Sequence, residues 1–238
     1  MNDDSMYDVI IVGGGLVGAT LACALQALPL KIAILEAKAW SQEQQPPSYD
    51  DRVLALNYGS QQILQAIGLW SALAPEATAI RHIHVSDKNH FGFSRIDNTV
   101  LQVPALGYVI PARQLGYQLY QRLTAVELLA PAQLQHIQCH AEHIALQVNS
   151  QQQQRHLSTR LLVAADGQNS QIRQQLGIAM TQRDYGQTAI IANVTLTQPH
   201  CHTAYERFTA SGPLALLPLK SPCDCGLVWS CSAQEAQD

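Results

Sequence analysis

A run of branched apolar residues, Val9-Ile10-Ile11-Val12, stops at Gly13-Gly14-Gly15, and Gly18 follows at the start of a helix-forming stretch. A short segment that is apolar at every position is the pattern of a parallel strand buried on both faces. The Ala- and Leu-rich segment from Leu16 to Leu28 reads as a helix, and Lys31 to Glu36 as a second short strand. Strand, helix and strand within about 30 residues make a βαβ unit. Gly13-x-Gly15-x-x-Gly18 lies at the turn where a dinucleotide fingerprint has to lie. Gly13 permits the tight turn, Gly15 lets the backbone approach a pyrophosphate, and Gly18 lets the helix pack close to the strand. The helix amino terminus offers free N–H groups and the positive end of its dipole to phosphates. Glu36, 18 residues past Gly18, is placed to accept hydrogen bonds from both adenosine ribose hydroxyls. Its charge disfavours a phosphate on that ribose, so the nucleotide is FAD or NAD rather than NADP.

Beyond this unit, Ala37 to Asp51 reads as a polar loop with Pro46 and Pro47, and Val53 to Ile67 as a helix that stops at Gly68. From Arg81 to Val109 the pattern shifts to alternation, as in His82-Ile83-His84-Val85, which predicts strands of a different sheet. Ala112 to Leu123 reads as a helix, and Ile137 to Leu161 as strands joined by a hairpin turn in the Gln151 to Gln154 tract. Arg160 to Ala165 reads as a further short strand, followed by Asp166-Gly167 and a helix from Ser170 to Leu176. After Gly177, strands are expected at Thr188 to Leu196, Ala204 to Phe208, Leu214 to Leu219 and Gly226 to Cys231, forming an antiparallel sheet. The fold class is therefore α/β: a Rossmann-like dinucleotide-binding domain with an inserted, mostly antiparallel β domain. The expected division is 1–80 and 111–180 for the nucleotide part, 81–110 and 181–238 for the β part.

Fourteen basic residues against 18 acidic ones give a net charge of -4, and no basic run could track a phosphate backbone, which argues against nucleic acid. No stretch approaches the roughly 20 apolar residues of a membrane span. The short acidic start, Met1 to Asp8, and the glycines that interrupt the next apolar run predict no export signal, hence a cytoplasmic protein, at most peripheral at a membrane. Without export, six cysteines read as thiols rather than a disulfide framework. A metal site from His200, His202, Cys223 and Cys225 is disfavoured because His-x-His and Cys-x-Cys lack the usual ligand spacing. No metal is expected. His82 and His84 read as one polar strand face, and Ser170 lacks the context of a nucleophile.

Asp166-Gly167 admits two readings. It can be a plain strand-to-helix turn, in which Gly supplies an unusual dihedral and Asp accepts N–H bonds. Alternatively it touches a ligand, because the carboxyl ends of parallel strands in one sheet converge on one crevice. Gly13-x-Gly15-x-x-Gly18, together with Ala165-Asp166-Gly167-x-x-Ser170-x-x-Arg173 and an Arg after the first long loop, resembles the class A flavoprotein monooxygenases, the para-hydroxybenzoate hydroxylase-like group. The resemblance implies FAD as cofactor, Asp166-Gly167 near its ribityl or pyrophosphate, and Arg173 supporting that segment. It also matches Arg52 and Arg113 to flavin-contacting positions. The alternative reading of each arginine is a surface ion pair.

His84-Val85-Ser86-Asp87, Ala192-Asn193-Val194 and the stretch from Tyr205-Glu206-Arg207-Phe208 to Pro218 narrow the resemblance to the ubiquinone-biosynthesis hydroxylases, in particular the octaprenyl methoxyphenol hydroxylases. That implies hydroxylation of a lipophilic phenol with NAD(P)H and O2, contact with the inner membrane, and membership of a ubiquinone-biosynthesis protein complex. The cofactor carries such chemistry, so no catalytic side chain need appear as a motif. A third FAD motif of the family, a Gly-Asp segment, has no counterpart from Gly177 to Asp238, which suggests a piece incomplete at its carboxyl end that binds FAD poorly by itself. Competing readings are another aromatic hydroxylase or halogenase-like relative of the same fold, although no Trp-x-Trp-x-Ile signature is present, and a non-catalytic assembly product.

Overall fold

The computed structural model describes residues 6–39 and 52–237. The expectations for Met1 to Ser5 and for most of the Ala37 to Asp51 loop lie outside the described residues. In chain order the elements are β1 (Met6–Val12), α1 (Leu16–Leu25), β2 (Ile32–Leu35), β3 (Val53–Asn57), α2 (Tyr58–Ala66) and α3 (Trp70–Leu73). There follow β4 (Thr78–Ile80), β5 (His82–Asp87), β6 (Phe93–Asp97), β7 (Gly107–Pro111), α4 (Ala112–Arg122) and β8 (Val126–Leu129). The chain continues through β9 (Ala132–Cys139), β10 (Ile144–Ser150), β11 (Gln153–Ala164) and α5 (Gln171–Gln175), and finishes with β12 (Gln187–Thr195), β13 (Thr203–Phe208), β14 (Pro213–Pro218) and β15 (Asp224–Ser232). These form two compact units, Met1–Asp50 with Leu115–Thr181 and Asp51–Gln114 with Gln182–Asp238.

The first unit is built on a six-stranded sheet in the order β8-β2-β1-β11-β10-β9. Its first four strands are parallel, and β10 and β9 add an antiparallel meander. The uninterrupted apolar run of β1 is explained by burial on both faces with period two. Val9 and Ile11 point with Ile32 and Ile34 into one cluster with Ala22 of α1. Ile10 and Val12 point with Ala33 and Leu35 into another, shared with Leu134, Leu146, Leu157 and Ile172. α1 ends at Leu25, short of the expected Leu28, because Pro29 disfavours helical geometry at the residue before it.

Two expectations need correction. Val53 to Asn57 is a strand rather than the first turn of a helix: it pairs antiparallel with β7 from Val53↔Pro111 to Asn57↔Gly107. The helix begins only at Tyr58, where the Asn57 side chain caps it by accepting from Ser60 N at 2.7 Å. Second, Arg160 to Ala165 is not a separate strand but the far half of the 12-residue β11, whose first half pairs with β10 and whose second half pairs with β1.

The hairpin turn between β10 and β11 is tight, with Gln151 and Gln152 both at positive φ, 51° and 65°. Such two-residue turns favour Asn-Gly, and glutamine fits them poorly. Gln151→Asn with Gln152→Gly is therefore expected to stabilise the fold by about 1 kcal/mol, raising the midpoint of a thermal melt by roughly 2–4 °C. An unchanged or lower midpoint would contradict the strain.

The second unit holds a six-stranded sheet, β12-β15-β14-β13-β5-β6, and a three-stranded one, β3-β7-β4. The four strands after Gly177 are antiparallel, as their spacing predicts, but β13 joins β5 in parallel, so the alternating segment after Arg81 extends the same sheet. Ile80, Val109 and Ala204 are buried between the sheets with Val53, Ile83 and Leu217. Among the described residues no helix is long and apolar enough to cross a membrane.

Candidate functional site

The glycine turn after β1 is held by contacts that exclude side chains. Gly13 adopts φ 104° and donates its N–H to Leu35 O at 2.8 Å, and a Cβ there would lie 2.3 Å from Ala165 O at the end of β11. A Cβ on Gly18 would lie 2.0 Å from Gly13 O and 3.1 Å from Ile11 Cγ2, so α1 touches the strand through this residue. Gly15 differs from both. It is the N-cap of α1, with no side-chain cap, and a Cβ built on it would meet nothing within 4 Å. Two glycines thus allow close packing, and the third faces open space at the helix tip, where the first N–H groups lack intrahelical acceptors.

Gly14, which carried no role in the sequence reading, is fixed from both sides. Its N–H donates to Glu36 Oε2 at 2.8 Å, and its carbonyl accepts from Tyr120 OH at 2.6 Å. Tyr120 comes from α4, 106 residues on, and no local spacing in the sequence signals the pairing. Glu36 itself is anchored at the end of β2 by its N–H to Leu129 O at 3.0 Å, and its Oε1 accepts from Lys38 N at 2.9 Å.

On the neighbouring strand end, Asp166 Oδ2 accepts from Gln171 N at 2.9 Å and Ile172 N at 3.4 Å, and Gly167 turns the chain at φ 85°. The capping of α5 is completed by Ser170, whose hydroxyl accepts from Arg173 N at 3.0 Å. Arg173 Nη1 donates to Ile178 O at 3.2 Å, so this arginine braces the loop that follows. Asp166 Oδ1 is buried and has no hydrogen-bond partner among the described residues. Burying a carboxylate oxygen unpaired is costly, so such an atom marks a place where a donor is expected.

Gly13, Gly15, Glu36, Asp166 and Gly167 all line one groove of about 520 Å³ in the first unit. Lys38, Gln133, Gln135 and Asn169 also reach it. Gln133 and Gln135 lie on β9, which starts at Ala132, five residues before the strands expected from Ile137. Gly18 lies beneath the groove as a packing residue. Arg52 and Arg113 belong to the second unit, Arg52 just before β3 and Arg113 in the first turn of α4, and Ala112 N donates to Arg52 O at 2.9 Å.

The other titratable residues weighed in the sequence have local partners. His82 pairs with Asp97 at 2.8 Å, and His84 Nδ1 accepts from Arg95 Nε at 3.4 Å. His200 Nε2 lies 3.0 Å from Leu219 O, and His202 Nδ1 lies 3.0 Å from Ala79 O. Among the described residues, no three His, Cys, Asp or Glu side chains cluster as a metal would require. All six cysteines are free, and burial pushes the Cys23 thiol up to about 11.

The sequence pattern of the FAD binding domain family matches residues 6–238. The chain belongs to the FAD binding domain family. Relatives of this FAD binding domain include ubiquinone hydroxylase UbiL of Rhodospirillum rubrum, 35% identical over 230 residues, covering 95% of this chain and 52% of that protein. The human mitochondrial ubiquinone biosynthesis monooxygenase COQ6 is 32% identical over 256 residues, covering 99% of this chain and 53% of its own length. The chain spans about half the length of the curated relatives it matches. Among solved structures, p-nitrophenol 4-monooxygenase PnpA of Pseudomonas putida superposes with a TM-score of 0.81 at 16% identity, over 98% of this chain and 60% of that one. The FAD binding domain therefore has the α/β fold of the flavin-dependent monooxygenases.

Proposed function

We propose that this chain is the cofactor-binding and part of the substrate-shaping portion of an FAD-dependent monooxygenase. In this reading the enzyme hydroxylates the aromatic ring of a polyprenyl phenol in ubiquinone biosynthesis, using NAD(P)H and O2. The observation that carries the reading is the single groove lined by Gly13, Gly15, Glu36, Asp166 and Gly167. The residues fit the dinucleotide end of FAD on physical grounds: open space over the Gly15 N-cap, a carboxylate at the end of β2, and a buried Asp166 oxygen in want of a donor. The nature of the relatives supports the substrate class.

In this reading the tip of α1 faces the pyrophosphate with its free N–H groups and dipole. Glu36, already holding Gly14 N and Lys38 N, accepts from the ribose hydroxyls. Asp166 Oδ1 accepts a donor of the ribityl chain or of the segment around it. Arg52 and Arg113 are assigned to the flavin as cations. Bound FAD supplies the electron transfer and oxygen chemistry. The protein orients the ring and excludes water, so no acid or base side chain is assigned a catalytic role. The groove of the first unit serves the cofactor and residues 81–110 and 181–238 serve the substrate, while residues 53–80, expected on the cofactor side, pack within the second unit. A substrate with a polyprenyl tail implies peripheral work at a membrane surface, in company with other enzymes of the pathway.

Flavin titration tests the site. Glu36→Gln is expected to weaken FAD about tenfold or more by removing a charged acceptor for two hydroxyls, followed by quenching of flavin fluorescence. Equal affinity in the parent protein and in the Glu36→Gln variant would remove Glu36 from the site. Turnover is tested by NAD(P)H oxidation coupled to formation of a hydroxylated prenyl phenol, identified by mass; its absence in flavin-loaded protein would overturn the substrate assignment.

A further inference from the structure

Phe91, in the loop between β5 and β6, is exposed at 110% of its reference surface, and Phe93, the first residue of β6, at 62%. Single exposed apolar residues need no explanation, but these rings stand two positions apart at one hairpin tip. Phe208, 48% exposed, pairs with Asp87, one position on from the Ser86 that pairs with Phe93, so it points to the other face of the sheet and stands apart from these two rings. Phe91 and Phe93 make an aromatic patch at one end of the second unit's large sheet.

Cations surround it. Lys88, Arg95 and Arg207 are all exposed, and Arg95 lies over the Phe93 ring at 4.8 Å. Phe93 and Arg207 both pair with Ser86, which puts them on one face of the sheet. Two of these cations donate to neutral acceptors: Arg95 Nε to His84 Nδ1 at 3.4 Å, and Arg207 Nη1 to Ser86 Oγ at 3.4 Å. The nearby acids take local donors, and Arg207 also acts on Asp87, and Lys88 on Glu235, through its charge. Asp87 accepts from Asn89 N at 3.4 Å and pairs with His90 at 3.0 Å, and Glu235 accepts from Ser232 Oγ at 2.8 Å and Ser232 N at 3.1 Å. Aromatic rings rimmed by lysine and arginine match a headgroup layer, apolar beneath and negative above.

We propose that this hairpin end seats the protein on a bilayer surface bearing anionic headgroups, with Phe91 and Phe93 entering the headgroup and acyl boundary while Lys88, Arg95 and Arg207 face the phosphates. The proposal gives a surface to the membrane work of the reading above and rests on it for its purpose, but its observations come from the second unit alone.

The test is co-sedimentation with vesicles of phosphatidylcholine containing phosphatidylglycerol as the minor lipid, and with vesicles of phosphatidylcholine alone. Binding is expected to the first and to be much weaker with the second. Phe91→Ser with Phe93→Ser is expected to lower the partition coefficient about tenfold or more. Arg95→Gln is expected to lower it about fivefold. Ile63→Ser, equally apolar and exposed on α2 at 59%, should leave it unchanged. All four positions are exposed, so thermal melts of the variants should match the parent. Equal binding to both vesicles, no binding to either, or a double Ser variant that binds as well as the parent overturns the proposal. So does capture of a protein partner through the same hairpin without any lipid binding. A parallel FAD titration keeps the two readings apart, because failure of vesicle binding with flavin binding intact strikes only the hairpin, and the converse strikes only the flavin groove.

Discussion

Alanine at position 18 is expected to destabilise the fold by about 3 kcal/mol or more, lowering its melting midpoint by roughly 6–12 °C. The added methyl would sit 2.0 Å from Gly13 O, a backbone atom, and 3.1 Å from Ile11 Cγ2. Retreat is blocked, because Gly13 is tied to Leu35 O and abuts Ala165 O. The helix would have to lift off the strand, disturbing the cluster of Val9, Ile11, Ala22, Ile32 and Ile34. Gly15→Ala provides the contrast. With φ at -64° and nothing within 4 Å, it should cost about 1 kcal/mol or less, as an ordinary N-cap change, while still obstructing a ligand at the helix tip. Circular-dichroism melts of the two variants decide the matter, and equal midpoints would refute the division of roles between the glycines.

The second large effect concerns Gly14. Its backbone dihedrals lie outside the left-handed region, so alanine there is opposed only by neighbours: Tyr120 OH at 2.4 Å and Glu36 Cβ at 3.2 Å from the new Cβ. Gly14→Ala is expected to cost about 2–3 kcal/mol. Tyr120→Phe alone should cost about 1–2 kcal/mol, because it removes the hydroxyl that satisfies the buried Gly14 carbonyl. The double variant should be less damaged than the sum by about 1 kcal/mol or more, since the phenyl ring leaves room that the hydroxyl occupied. Denaturant melts of all four proteins close the cycle. Strict additivity would mean that the tyrosine and the glycine turn do not share the contact described.

These two cases show how far the sequence could be read. Gly13, Gly15 and Gly18 were assigned by spacing because their roles are local: strand, turn and helix succeed one another along the chain. The βαβ unit, the turn at Asp166-Gly167 and the antiparallel strands after Gly177 were legible for the same reason. Gly14 and Tyr120 were not, since a hydrogen bond between residues 106 positions apart leaves no periodic trace. At Val53 to Leu56 the difficulty was ambiguity: apolar residues at 53, 54 and 56 satisfy both a helical stripe and a strand buried on one side, and pairing with β7 decided between them. Asn57, a strong N-cap residue, was the one available signal that the helix began later. The parallel join of β5 to β13 depends on long-range pairing, which composition does not encode.

The continuity of β11 has a mechanical meaning. The tight Gln151-Gln152 turn sets the register at one end of a 12-residue ladder, and Asp166 emerges two residues beyond the other end. Lengthening the turn would be absorbed at the hairpin tip. One residue inserted within the ladder would instead invert every side chain beyond it and carry the Asp166 carboxylate to the opposite side of the sheet, so this strand acts as a ruler that transmits a distant loop's geometry to the groove.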